Sequence, residues 1–142
     1  MQPRFLPFAA LLAATACTPA KTDGIDPEGK AFDAVAPGEV VTLLGTEPFW
    51  NLRVEGSSGL WTTPENQPGT TVTLTRFAGN GGLGFSGTLD GKALTATLTP
   101  GDCSDGMSDR RFPFVATIAL GGETFEGCGY TDSQPFTGPA AP

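Results

Sequence analysis

Histidine is absent from this chain of 142 residues. Its absence excludes Ser-His-Asp and Cys-His catalysis and histidine-ligated zinc, and it removes the side chain that most often moves protons near neutral pH. No Ser-x-x-Lys sequence occurs either. Any hydrolytic chemistry would therefore depend on carboxylates, which are scattered along the chain. We expect a protein without enzymatic activity, cofactor or metal.

Charged residues are also scarce, at 16% of the chain, and basic ones are the scarcer kind. Eight Lys and Arg stand against 15 Asp and Glu, which gives a formal net charge of -7. Because phosphate binding needs clustered Lys and Arg, nucleic acid is not an expected partner. An acidic surface attracts cations instead, so the partner that we expect is a basic protein.

A hydrophobic run long enough to span a membrane is missing too, since a spanning helix needs about 20 residues. The apolar segment from Phe5 to Ala16 has only 12 residues and follows Arg4. This pattern predicts a signal peptide over residues 1–16. The small residues Ala14-Thr15-Ala16 then precede Cys17, and this junction resembles the lipobox of bacterial lipoproteins, in which the cysteine receives a lipid.

Two interpretations of Cys17 stay open, because Ala14-Thr15-Ala16 also fits ordinary signal cleavage. The number of cysteines favours lipidation. An exported protein with three cysteines leaves one unpaired. A lipid on Cys17 leaves Cys103 and Cys128 to form a disulfide in an oxidising compartment. By the same resemblance, Thr18 stands where Asp often signals inner-membrane retention, so we expect the outer membrane, facing the periplasm.

Glycine and proline are abundant, with 20 and 13 residues, which is typical of a chain with many turns. Residues 17–37 show no periodicity and are predicted to form a flexible tether. Residues 131–142 have a similar composition and are predicted to form a disordered tail. The folded domain is expected at residues 38–130.

This domain contains about eight short segments in which apolar and polar residues alternate. Asp90-Gly91 and Gly121-Gly122 are hairpin signals between neighbouring segments. The pattern predicts an all-β antiparallel meander with one disulfide, and a closed barrel is favoured over a sandwich because closure removes exposed edges. We expect side chains to fill most of the interior. The predicted strands are residues 40–44, 49–55, 60–62, 70–77, 83–89, 92–99, 112–120 and 123–130.

Residues 45–50, Gly-Thr-Glu-Pro-Phe-Trp, form the first candidate site. They place the Glu47 carboxylate next to Trp50 as the chain enters a strand, and Arg53 follows on the polar face of that strand. Two interpretations stay open. The segment is either a binding site at the barrel rim or a turn that directs Trp50 into the core.

Residues 101–111 form the second candidate site, with three carboxylates, two hydroxyls and two guanidinium groups. Oxygen ligands suit calcium, but the spacing does not match the EF-hand loop, and the arginines would compete for the carboxylates. An Asp-Arg network that orders the loop is favoured over ligand or partner contact, and both are favoured over a metal site. The candidate contact residues are Asp105, Ser108, Asp109, Arg110 and Arg111.

These motifs resemble a family of small, uncharacterised bacterial lipoproteins. The similarity rests on Gly-Thr-Glu-Pro-Phe-Trp at 45–50, Cys-Ser-Asp-Gly-Met-Ser-Asp-Arg at 103–110, Phe112-Pro113 and Gly127-Cys128. It covers about residues 38–130, and it implies an envelope location and a shared domain without an activity. More loosely, the chain is similar to membrane-bound inhibitors of c-type lysozyme. That similarity concerns architecture, since their Ser-Gly motif followed by Tyr and Lys is not found here.

The sequence therefore favours a lipid-anchored protein of the bacterial cell envelope that acts as a binding or envelope-maintenance module. Its expected contact loops are residues 45–50 and 101–111. One alternative is a small-ligand carrier, or a weak carboxylate-based enzyme that uses the barrel interior. In that alternative Glu47 would meet Asp105 or Asp109 at the barrel mouth. A second alternative is a protein that resembles the lysozyme inhibitors in function.

Overall fold

The computed structural model describes residues 29–140. The predicted signal peptide, the lipidation site Cys17 and residues 17–28 of the predicted tether lie outside the described residues. No helix in the described part of the chain has the length and apolarity that crossing a bilayer would require.

Eight antiparallel strands form one sheet, in which each strand pairs with the next and the last pairs with the first. This arrangement confirms the predicted meander and its closure into a barrel. The hairpin turns also agree, since Asp90 and Gly91 have φ of 48° and 76°. The strands are β1 (Val41–Thr46), β2 (Phe49–Glu55), β3 (Ser58–Thr63), β4 (Asn66–Ala78), β5 (Leu83–Leu89), β6 (Lys92–Cys103), β7 (Phe112–Leu120) and β8 (Glu123–Thr131).

Alternation along the strands places apolar side chains inside the barrel, as the period of two predicts. In β2, Trp50, Leu52 and Val54 are buried, whereas Phe49 and Arg53 point outward. Trp50 stacks on Trp61 with ring centroids 5.8 Å apart, near the β1–β2 and β3–β4 turns. Large apolar side chains thus occupy the interior. The largest that are fully buried within this core are Leu43, Leu52, Leu83, Leu94, Leu98, Phe114 and Ile118.

Two strands extend furthest beyond their predicted bounds, β4 and β6. The strand β4 begins at Asn66 and passes through Pro68-Gly69, and β6 continues through Pro100-Gly101 to Cys103. Proline and glycine indicate turns in a sequence, but here the register shifts near them, between Trp61 and Thr63 and between Pro100 and Cys103. Irregularities of this kind let a strand accept an extra residue and bend.

The domain extends beyond residues 38–130 at both ends. Val35 is buried in the core, and its carbonyl accepts a hydrogen bond from Arg76 at 2.7 Å. At the other end, Arg111 and Thr137 exchange two backbone hydrogen bonds. Residues on both sides of the predicted domain, 38–130, thus contact the barrel. Apolar contacts and backbone pairing hold these segments, and composition alone does not reveal such long-range contacts.

The two ends of the domain meet at Glu39. Its carboxylate accepts hydrogen bonds from the Ser133 hydroxyl, from the Ser133 amide at 3.2 Å and from the Ala36 amide at 3.0 Å. The Ser133 hydroxyl, followed by that of Thr131, lowers the pKa of Glu39 to about 2. Glu39 thereby links the N-terminal segment to the chain after β8.

We expect this link to weaken in acid. A carboxyl group whose pKa falls on folding contributes stability above its unfolded pKa, here near 4.5, and the contribution is lost as pH decreases through about 2. Because solvent screens Glu39, the loss should be about 1 kcal/mol. For the native protein, urea titrations from pH 6 to pH 2 should show this decrease in the free energy of unfolding. In Glu39→Gln, the part of the pH dependence that comes from Glu39 should be missing. A variant with the full native pH dependence would contradict the assignment.

Candidate functional site

The loop between β6 and β7 is ordered by Asp105. One oxygen of its carboxylate accepts the Met107 and Ser108 amides at 3.0 and 2.8 Å, and the other accepts the Ser108 hydroxyl at 2.7 Å. Burial favours the neutral acid, but the Ser108 and Met107 hydrogen bonds and the charge of Arg110 outweigh it and lower the pKa of Asp105. The loop is thus ordered by hydrogen bonds from Ser108 and the Met107 amide to Asp105, whereas the expected network is one of Asp-Arg pairs.

A disulfide and a hydrogen bond hold this loop against the barrel wall. The Cys103–Cys128 bond joins the end of β6 to β8, as predicted. Farther along the loop, the Thr46 hydroxyl donates to the Asp105 carbonyl at 2.8 Å across 59 positions of sequence. The two candidate segments, 45–50 and 101–111, therefore lie side by side.

The chain after β8 supports the same loop through Arg110. The Arg110 guanidinium lies 4.6 Å from the Phe136 ring centroid and donates to the carbonyls of Pro139, at 2.8 Å, and Ala140. Phe136 packs in turn on Phe112 and Tyr130, with centroids 5.6 and 5.3 Å away. Arg110 thus has a structural role, consistent with cation–π and charge-assisted hydrogen bonding.

Two grooves border the contact between Thr46 and Asp105. We call the first the apolar groove, because the exposed side chains of Phe49 and Met107 line it. Its volume is 520 Å³, and its other lining residues are Leu44, Gly45, Thr46, Trp50, Asn51, Thr62, Thr63, Pro64, Gln67, Asp105, Ser108 and Arg110.

The second groove, which we call the acidic groove, lies over β7, β8 and the end of β1. Its volume is 770 Å³, and the acidic residues Glu47, Asp105 and Glu126 are among those that line it. Threonine hydroxyls and Ser104 supply further polar atoms. Its other lining residues are Leu44, Gly45, Thr46, Cys103, Gly106, Val115, Thr117, Thr124, Phe125 and Gly127.

The structure brings together five of the eight candidate contact residues at these grooves. Glu47 lines the acidic groove, Asp105 lines both, and Trp50, Ser108 and Arg110 line the apolar groove. No described group of three or more Cys, Asp or Glu side chains has the arrangement of a metal site.

The other three candidates have different positions. Asp109 is exposed and lines neither groove. Arg111 lies 3.7 Å from Asp102 in an exposed ion pair, and Arg53 lies 2.9 Å from Glu55. The side chain of Trp50 is only 4% exposed and faces the interior, which is the arrangement expected if residues 45–50 form a turn that directs Trp50 into the core. Strand alternation after the β1–β2 turn sends Phe49 outward and Trp50 inward.

The expected contact loops, 45–50 and 101–111, contain Phe49 and Met107, although the sequence does not single out these two residues. They are 50% and 64% exposed in the structure. The sequence contains a signal for the exposure of Phe49, since this residue is out of phase with the buried residues of β2, whereas nothing local marks Met107.

No protein-family model, curated protein or solved structure matches this chain. The loops and the grooves themselves are therefore the basis for proposing a function.

Proposed function

We propose that this protein is a non-enzymatic binding module of the bacterial cell envelope. It is anchored through a lipid on Cys17, at the outer membrane facing the periplasm, and it binds a protein partner at the apolar groove. The observation that carries the proposal is the pair of exposed apolar side chains, Phe49 and Met107, beside the fixed contact of Thr46 with Asp105.

Exposed aromatic and methionine side chains are enriched at protein interfaces, where a few such residues supply most of the binding free energy. Their surroundings matter as well. Phe49 begins a strand of the closed sheet, and Met107 lies in the loop that Asp105 and the disulfide hold. A surface that is ordered before binding loses less conformational entropy in the complex.

The alternative of a small-ligand carrier or a carboxylate enzyme in the barrel interior has less support. Apolar side chains occupy the interior, and Trp50 stacks on Trp61 near one end. The Asp105 carboxylate accepts hydrogen bonds from Met107 and Ser108. These bonds lower its pKa and make it a weaker proton acceptor. The comparison with lysozyme inhibitors rests on the barrel alone, and one fold serves many functions.

The proposal predicts a loss of partner binding when the two apolar side chains are shortened. The native protein, cross-linked in an envelope fraction, should capture a partner that is identified and then titrated in purified form. Phe49→Ala with Met107→Ala should weaken binding at least tenfold, since each truncated anchor costs about 1–2 kcal/mol.

The matched control is Phe77→Ala, because Phe77 is 69% exposed on β4 and lines neither groove. It should leave both the affinity and the urea midpoint unchanged. If the double variant bound as tightly as the native protein, the apolar groove would not be the binding site.

A further inference from the structure

The apolar and acidic grooves are two halves of one surface. Both are lined by Leu44, Gly45, Thr46 and Asp105. Two of these shared residues are joined directly, since the Thr46 hydroxyl donates to the Asp105 carbonyl at 2.8 Å. A single partner segment that crosses this contact would therefore place neighbouring side chains in both grooves.

The apolar groove presents few fully charged groups to a partner. Phe49 and Met107 form its exposed apolar part, and Asn51 and Gln67 contribute uncharged amides. The one guanidinium that lines it, on Arg110, is already committed to the Pro139 carbonyl and the Phe136 ring. An apolar side chain of a partner would bury area there without leaving a charge unpaired.

The acidic groove has the opposite character. Glu47 and Glu126 line it, and no described Lys or Arg does. The described arginines nearest in sequence to its lining residues are engaged elsewhere, Arg110 with the Pro139 carbonyl and the Phe136 ring and Arg111 with Asp102. Neither Glu47 nor Glu126 has an ion pair with a described residue. The charge of this groove is therefore available to a cation.

We propose that the partner presents an apolar side chain and a lysine or arginine close together on one segment. The apolar side chain packs against Phe49 and Met107, and the cation lies beside Glu47 and Glu126. This inference rests on the proposed function and deepens it by naming the chemistry of the partner. Complementary charge also steers association, which would fix the direction of the segment across the Thr46–Asp105 contact.

A random peptide library displayed on phage, selected against the full chain, tests this inference. We expect the enriched peptides to carry a large apolar residue within a few positions of Lys or Arg. One such peptide, labelled with a fluorophore, is then titrated at low and high salt. Glu47→Gln with Glu126→Gln should weaken it at least tenfold at low salt and flatten its salt dependence.

The charge-matched control is Asp90→Asn with Glu123→Gln, at two hairpin turns that line neither groove. It should stay within twofold of the native affinity. Enriched peptides without a cation, or equal binding by the two double variants, would overturn this inference. The proposed function would survive that result if Phe49→Ala with Met107→Ala still abolished partner capture, and it would fail separately if that variant bound normally.

Discussion

Replacing Cys103 and Cys128 together with alanine is expected to lower the free energy of unfolding by about 3–4 kcal/mol. The bond closes a loop with a sequence separation of 25 residues, and in the chain-entropy model the cross-link restricts the unfolded chain to roughly this extent. Because Cys128 is buried, reduction should also loosen the start of the loop that carries Met107. The melting temperature should fall by more than about 10 °C.

Urea unfolding with and without dithiothreitol measures this effect. The reductant should destabilise the native protein by about the same 3–4 kcal/mol and leave the alanine variant unchanged. Loss of partner binding at temperatures where the variant remains folded would show that the bond also positions the loop. A reduced native protein within about 1 kcal/mol of the oxidised one would contradict the structural role.

The sequence is sufficient to predict the barrel because the interior imposes a simple rule on every strand. Apolar residues at every second position identify β2, β5 and β7 almost to the residue. The hairpin turns at Asp90-Gly91 and Gly121-Gly122 then fix which strands are neighbours. Local patterns of this kind are strong when one face is buried, because a slip by one residue would turn the core outward.

The ends of the domain could not be predicted in this way. Val35 and Phe136 each lie in a segment rich in Pro and Gly, with no periodicity around them. What orders them is contact with residues far along the chain, Arg76 for the first and Arg110 for the second. Apolar residues without periodicity carry no local sign of the surface that receives them.

The sequence predicts which segments form the candidate site, but it does not predict how these segments are arranged in space. Residues 45–50 and 101–111 were selected for their density of polar and aromatic groups, and the structure makes them neighbours through Thr46 and Asp105. The hydrogen bond that joins them uses a backbone carbonyl, which no side-chain pattern identifies. The disulfide limits how far the loop can lie from the barrel, but it does not indicate which side of the loop contacts β1.

Trp50→Ala is expected to cost about 3–5 kcal/mol of folding stability, the range for truncating a buried aromatic side chain. The indole fills the space that two glycines leave open. A Cβ at Gly45 would lie 2.2 Å from Trp50 Nε1, and one at Gly127 would lie 2.9 Å from Trp50 Cζ2 and 1.9 Å from the Leu44 carbonyl oxygen. Smaller side chains at position 50 therefore leave a cavity that Gly45 and Gly127 cannot fill.

Phe49→Ala is the matched control, because it truncates the neighbouring aromatic residue on the opposite face of the same strand. Its cost should be below about 1 kcal/mol, since Phe49 is half exposed. Trp50→Phe separates packing from hydrogen bonding. Trp50 Nε1 is buried with no hydrogen-bond partner among the described residues, so its removal relieves a desolvation cost and partly offsets the lost volume.

We therefore expect Trp50→Phe to cost less than half as much as Trp50→Ala in urea unfolding. Partner affinity should depend on residue 49 instead. It should decrease for Phe49→Ala and stay at the native value for folded Trp50→Phe. If Trp50→Phe lost partner binding under conditions where it remains folded, the indole would contribute to recognition despite its burial. If Trp50→Phe keeps native binding, residue 49 serves recognition on the outer face of the strand and residue 50 serves packing on the inner face.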